Sequence, residues 1–457
     1  MEIRGPEAHR VYQRNEAGLA DIPFEIELDE LCPFKVEIRL DLAGHASGWM
    51  ETGMISDAVF RGAFVDVPAG QHCLEIRIVT ESKAVVTRRT IDPVYVGDLW
   101  LLAGQSNMEG CGKLADADSP QAGISCFYMG DTWGIARDPL CWPNESLDEV
   151  HWRVSAEERE QAAKDQRRDR SYGAGLGIPF AKELYRHTGV PVGLIMCADG
   201  GTYMAQWDAA KIEEGGRSLY GSMIRKFRKL GGKVKGMLWY QGEAEASVDN
   251  APLYRNRMLS WVNSVRKDMD DPVLPFIYAQ LSVFYSMDAD ERGWNRIQHD
   301  QLALEDSLEA AAMVPTLDGY LSDIIHLNAA SLREVGRRMA WRALELAYGM
   351  RVAEPGPRLR SLAWSGDRKE LRLELSQVND RLVDAGKMHG FHVETADGHR
   401  LPLWASLADD GLAVLLRFER GVPPGCQLWH GAGLNPTINV KDAKGIPLPM
   451  FGPVPLP

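Results

Sequence analysis

The stretch VYVGDLWLLAGQSNMEG, Val94 to Gly110, is nearly all apolar as far as Gly104 and then presents Gln-Ser-Asn. Three more runs share this texture: GVPVGLIMCADGG (Gly189–Gly201), GKVKGMLWYQGE (Gly232–Glu243) and VLPFIYAQL (Val273–Leu281). Such runs read as strands buried on both faces. Helical patterns lie between them. GIPFAKELYRHTG (Gly177–Gly189) ends on a glycine suited to a C-cap, and Ala251–Met269 repeats apolar residues at helical spacing. Asn328 can cap a last helix that Gly349 ends. Strands alternating with helices predict an α/β fold, a parallel sheet covered on both faces. Ligands in such sheets bind beyond the carboxyl ends of the strands, where the polar ends of these runs fall.

Outward from this core the texture changes. Residues 1–92 alternate in short runs such as FKVEIRLDL (Phe34–Leu42) and CLEIRIV (Cys73–Val79), which predicts a β-sandwich-like domain. VAEPGPRLR reads as a linker, and residues 353–457 return to alternation as a second β domain. The catalytic unit is then 93–352. The polar segment 114–170 carries Trp133, Trp142 and Trp152, and its charged part Ser155–Arg170 reads as a solvated helix or mobile loop, or as a lid over the site.

With 457 residues, 45% of them hydrophobic and 25% charged, the chain can build a large core. A net charge of −13 leaves no basic excess to displace counterions, so nucleic acid is not expected as a partner. No apolar run is long enough for a membrane span, and the first residues lack an apolar signal core. A cytoplasmic protein is expected as the sequence stands, and a periplasmic or secreted one if a leader was removed. Seven cysteines without a CxxC, including Cys32, predict unpaired and mostly buried thiols and no four-ligand metal site. Oligomeric state is not legible.

Ser106 follows a buried strand, where a starting helix would aim free N–H groups at whatever the serine attacks. A hydroxyl needs a base in reach, and the base needs an orienting group. His326 lies just before the last predicted helix with Asp323 three residues earlier. On a tight turn that spacing brings a carboxylate to Nδ1 and leaves Nε2 for the serine. Gly200 and Gly201 end one strand, where a bare backbone N–H can approach an oxyanion; Gln241 ends the next and offers an amide.

Together these residues resemble the sialate O-acetylesterase-like branch of the SGNH (GDSL-type) hydrolases. The blocks that carry the resemblance are Gly104-Gln105-Ser106-Asn107-Met108, Gly200-Gly201-Thr202 with Trp207, Trp239-Tyr240-Gln241-Gly242-Glu243, and Asp323-x-x-His326, with Tyr172–Tyr185 similar to the family's glycine-rich lead into a helix. It covers roughly residues 94–350. It implies a flavodoxin-like three-layer sheet and a serine esterase that removes acetyl groups from a carbohydrate, with no metal or other cofactor. Ser106 would be the nucleophile, His326 the base and Asp323 the acid. The Ser106 N–H, Gly200 N–H and Gln241 amide would form the oxyanion hole. Gln105, Asn107, Gly201 and Glu243 would support the site. Where the family block often ends in Asp, this chain has Glu245.

Sialate, xylan and other acetylated glycans all remain compatible as substrate. A sialate carboxylate would call for an arginine, for which Arg137, Arg255 and Arg296 are available. Two rival readings stand beside the esterase. One is a glycosidase built on Glu243 and Glu245. The other is a non-catalytic carbohydrate-binding protein whose tryptophans stack on sugars.

Overall fold

A computed structural model describes residues 2–27, 34–42, 45–55 and 57–457. Cys32 lies outside them. The longer strands before residue 80 are β1 (Leu19–Glu27), β2 (Phe34–Leu42), β3 (Val59–Pro68) and β4 (Gly70–Val79). β1 pairs antiparallel with β3, and β2 with β4. Ile22, Phe24, Val36, Leu74 and Ile76 form an apolar cluster between them.

The boundary expected after residue 92 falls inside a single strand, β5 (Val85–Gly104). Its first part pairs antiparallel with β4, and Asp98–Gly104 pairs parallel with two strands of the central sheet. β2 and β4 therefore continue the central sheet, whereas β1 and β3 belong to a separate sheet. Burial changes where the sequence texture does: from Val94 to Gly104 every residue is buried, whereas exposed positions dominate from Val85 to Pro93.

After β5 come α1 (Ser106–Glu109), β6 (Ile124–Phe127), β7 (Trp133–Ile135), α2 (Arg159–Asp169), α3 (Gly177–Thr188) and β8 (Val192–Met196). Then follow α4 (Leu219–Lys229), β9 (Gly236–Tyr240), α5 (Tyr254–Asp268), β10 (Phe276–Ala279), α6 (Glu291–Ala303), β11 (Ala311–Val314) and α7 (Ala329–Tyr348). The central order is β7-β6-β8-β5-β9-β10-β11, parallel except for the edge strand β7. Counting only β5, β8, β9, β10 and β11, this is the 2-1-3-4-5 order of doubly wound sheets, whose switch point lies at the first strand. Ser106 stands there.

Both expected caps of α7 are present. The Asn328 Oδ1 accepts from the Ser331 N–H at 2.9 Å, and Gly349 takes the left-handed conformation.

Segment 114–170 holds more than a helix or loop, because β6 and β7 of the main sheet lie in it. β6 is a wholly buried four-residue strand, too short for its period to show. The charged run does form a solvated helix, since α2 buries no residue. The segment's tryptophans are occupied: Trp133 packs on Phe127, and the guanidinium carbons of Arg167 and Arg159 sit 3.8 and 4.6 Å from the Trp142 and Trp152 rings.

The C-terminal strands are β12 (Arg358–Trp364), β13 (Glu370–Ser376), β14 (Phe391–Glu394), β15 (Trp404–Leu407), β16 (Ala413–Arg417), β17 (Gln427–His430) and β18 (Phe451–Pro455). They make two antiparallel sheets around a cluster that includes Leu371, Leu373, Val393, Leu416 and Leu428. Cys73, Cys111, Cys126, Cys141, Cys197 and Cys426 are free thiols, four of them buried. Among the described residues, no helix is long and apolar enough to cross a membrane.

Candidate active site

The turn that carries Ser106 is made by the end of β5. Gly104 has φ 129°, and a Cβ there would sit 2.2 Å from the Tyr240 carbonyl oxygen of β9. Any side chain would push the two strands apart. The Gln105 N–H donates to that carbonyl at 2.8 Å, and α1 begins at Ser106. The N–H groups of Met108 and Glu109 both reach back to the Gln105 carbonyl. Among the described residues, the Ser106 N–H donates to no acceptor, as expected of a first-turn group.

The two amides flanking Ser106 fasten the loops around it. The Gln105 Oε1 accepts from the Gly242 and Ala244 N–H groups, each at 3.4 Å. Asn107 donates to the Glu243 Oε1 at 2.8 Å and accepts from the Leu327 N–H at 3.0 Å. Burial pushes the Glu243 carboxyl above its ordinary value, against the pull of Asn107 and His326.

Asp323 and His326 lie on the turn between β11 and α7. The Asp323 Oδ1 accepts from the N–H groups of Ile325 and His326, each at 2.8 Å. Its Oδ2 lies 2.6 Å from the His326 Nδ1, and the His326 Nε2 lies 2.9 Å from the Ser106 Oγ. Burial alone would raise the Asp323 carboxyl. The Ile325 N–H, the His326 ring and the His326 N–H outweigh it and hold the group below the usual carboxylate range. An ionised partner at Nδ1 fixes the tautomer whose Nε2 faces the serine, and it favours the imidazolium that forms on proton transfer. Burial pushes the nearby Cys111 thiol up to about 12, so it stays protonated.

The two other expected oxyanion donors are engaged. A Cβ on Gly200 would lie 3.5 Å from the Ser106 Cβ, so this glycine does flank the serine. Its N–H, however, donates to the Glu109 Oε2 at 3.0 Å. The Gln241 Nε2 donates to the Thr202 carbonyl at 3.2 Å, so the fully buried Gln241 braces the loop that carries Gly200 and Gly201. Sequence reasoning could not see these internal acceptors. Glu245 is likewise committed: it accepts from the Met204 N–H at 2.5 Å and pairs with Arg257 at 3.1 Å. Glu243 and Glu245 are thus both bound to protein donors, which leaves the glycosidase reading without a free carboxylate pair.

Glu109 was not foreseen. Burial pushes its carboxyl above the ordinary value, opposed by Arg170 and Arg153 at 3.4 and 3.6 Å and by the Gly200 N–H. Arg153 also reaches the Asp199 Oδ1 at 2.7 Å. The Asp199 Oδ2 lies 2.6 Å from the Nδ1 of His151, whose Nε2 lies 3.1 Å from the Ser222 Oγ. This second Asp–His–Ser row is sealed, with all three residues at most 2% exposed. Its place next to Gly200 makes it a brace for the turn. Of the arginines considered for a sialate carboxylate, Arg255 bonds Ser307, Arg296 pairs with Asp300, and Arg137 is exposed with no ion pair among the described residues. Arg153 and Arg170 instead reach Glu109, three residues past Ser106.

A family model described as carbohydrate esterase, sialic acid-specific acetylesterase matches residues 96–345. A probable carbohydrate esterase from Arabidopsis thaliana is 28% identical over 54% of this chain and 90% of its own. Mouse sialate O-acetylesterase is 21% identical over 47% of this chain, which spans only 48% of that relative. Among solved structures, a carbohydrate acetylesterase from Xanthomonas citri superposes over 97% of both chains with a TM-score of 0.68 and 23% identity, a likeness of fold.

Proposed function

The chain belongs to the carbohydrate esterase, sialic acid-specific acetylesterase family and is a carboxylic ester hydrolase; we propose that it removes O-acetyl groups from a glycan through an acetyl-Ser106 intermediate. The observation that carries the reading is the unbroken Asp323–His326–Ser106 relay at the switch point of the sheet.

In this reading the Ser106 Oγ attacks the acetyl carbonyl carbon while the His326 Nε2 takes its proton. The free Ser106 N–H meets the developing oxyanion. The Gly200 N–H, held by Glu109 at rest, is shared with it once the carbonyl oxygen arrives. The C–O bond to the sugar breaks as the His326 imidazolium protonates the leaving oxygen. Water, deprotonated by His326, then attacks the acetyl-enzyme. Acetate leaves and Ser106 regains its proton. Preorganised donors of this kind contribute about 10²–10³ in rate each.

The substrate expected from the resemblance is an O-acetylated sialate. Its carboxylate would need a cation that is not already matched. Arg153 and Arg170 are matched to Glu109 and Asp199, two cations to two carboxylates. That balance favours an uncharged acetylated glycan such as an acetylated xylan. The two are separated by comparing kcat/KM on an O-acetylated sialic acid with that on acetylated xylo-oligosaccharides. The esterase reading itself is tested by acetate release from 4-nitrophenyl acetate and an acetylated sugar. Ser106→Ala should abolish both, and an unchanged rate would remove Ser106 as nucleophile.

We further propose that residues 1–92, 93–352 and 353–457 act as an N-terminal β unit, the hydrolase unit and a C-terminal β unit. Separate apolar clusters support this division, although β5 is shared by the first two. Limited proteolysis that cuts first in 350–357 would support the second boundary, and cuts scattered evenly through 358–457 would oppose it.

A further inference from the structure

A cavity of about 450 Å³ lies between the first turns of α6 and the sheet of β14, β17 and β18. It contains none of the Ser106, His326 or Asp323 side chains. Its volume falls within the ~300–1,000 Å³ of small-molecule sites. On its sheet side, His392 of β14 and Trp429 of β17 are direct cross-strand partners. Their ring planes lie 14° apart with centroids 6.0 Å apart, so the two rings present parallel planes. The strand beyond is shaped to fit. Gly452 of β18 has φ 124°, and a Cβ there would come within 2.7 Å of the Trp429 Cε3. Burial and then Arg400 lower His392 to about 4, so its ring is neutral at physiological pH.

The arginines of the walls are each matched, while Glu291 pairs with no cation among the described residues. Arg292 pairs with Asp290 at 3.2 Å, Arg296 with Asp300 at 2.9 Å and Arg400 with Glu394 at 3.1 Å. A polyanion therefore finds no surplus cation among these pairs, whereas planar guanidinium and carboxylate groups can donate to and accept from hydroxyls. Aromatic planes beside such groups suit a pyranose ring, which has apolar C–H faces and a rim of hydroxyls.

The cavity is also tied to the catalytic turn. Asn295 of α6 exchanges hydrogen bonds with Gly433 at 2.9 and 3.2 Å. Next along the chain, the Leu434 carbonyl accepts from the Phe284 N–H, and the Tyr285 N–H donates to the Ile324 carbonyl beside Asp323, each at 2.7 Å.

We propose that this cavity is a second carbohydrate subsite, which holds an uncharged sugar unit of the glycan deacetylated at Ser106. The link to that glycan rests on the esterase reading; the binding itself does not. The test is calorimetric titration of Ser106→Ala protein with unacetylated xylohexaose, mannohexaose and chitohexaose. At least one is expected to bind, with affinity about tenfold weaker when Trp429→Ala or the surface change Arg400→Ala is added. In the Ser106 background, both variants should hydrolyse 4-nitrophenyl acetate at the wild-type rate. The proposal is overturned if none of the three binds, if the variants bind as tightly as the parent, or if only an acidic oligosaccharide such as an oligogalacturonate binds. Intact glycan binding alongside absent esterase activity would instead sink the esterase reading alone.

Discussion

The Nε2 of His326 lies 2.9 Å from the Ser106 Oγ across 220 residues of chain, and Asp323 holds the ring from its other side at 2.6 Å. Asp323→Asn keeps the shape but loses the charge that stabilises the imidazolium. We expect kcat on 4-nitrophenyl acetate to fall about 10⁴-fold, as when such a carboxylate is neutralised elsewhere. Because Asp323 is held below the usual carboxylate range, the acid limb of the wild-type pH–rate profile should not belong to Asp323. A profile and kcat unchanged by Asp323→Asn would take Asp323 out of the mechanism.

Glu109 anchors the Gly200 N–H beside Ser106. Glu109→Ala frees that turn and should lower kcat by about 10²-fold, the scale of one misplaced oxyanion donor. Glu109→Gln keeps an acceptor for the N–H and should lose less. Steady-state kinetics on the two variants, with their Tm recorded, make the comparison. Equal kcat values for wild type and Glu109→Ala would show that the anchor does not matter to the chemistry.

Asn107 is 1% exposed and bridges Glu243 to the Leu327 N–H. Asn107→Ala leaves both partners buried without a hydrogen bond. The expected loss in urea-unfolding stability is about 2–4 kcal/mol, together with lower activity because His326 adjoins Leu327. A loss within a few tenths of a kcal/mol would contradict the bridge.

Asp138 gives a pH signature. Burial raises its carboxyl to about 7, opposed by the Gly175 N–H. A carboxyl raised on folding binds its proton more tightly in the native state. Its stabilisation is complete below the ordinary aspartate value of about 4 and is lost as pH climbs through about 7. Asp138→Asn stays neutral and escapes that loss. Its Tm advantage over wild type should therefore widen between acidic and mildly alkaline pH. A gap constant with pH would contradict the raised value.

Much of the site was readable because it is built from short local signals. A strand ending in Gly104-Gln105-Ser106, a DxxH turn and a capped helix each follow from neighbouring residues. The four central strands read as apolar runs for the same reason. What escaped depends on pairings made only in three dimensions. β6 is too short to carry a period, and β5 crosses an expected boundary because one strand serves two partners. Glu109 is bound by residues 61 and 91 positions away, so nothing beside it marks it. The same long-range bonds engage Gly200 and Gln241, which the sequence presented as free donors.

The most direct test is to mix the enzyme with an acetylated sugar, quench in acid during turnover and map the acetyl group by peptide mass spectrometry. The account predicts acetylation on Ser106, and in a His326→Ala protein acylated with an activated ester that acetyl group should persist, because deacylation stalls without the base. Turnover that continues with Ser106 never acetylated, or at an undiminished rate in Ser106→Ala, would contradict it.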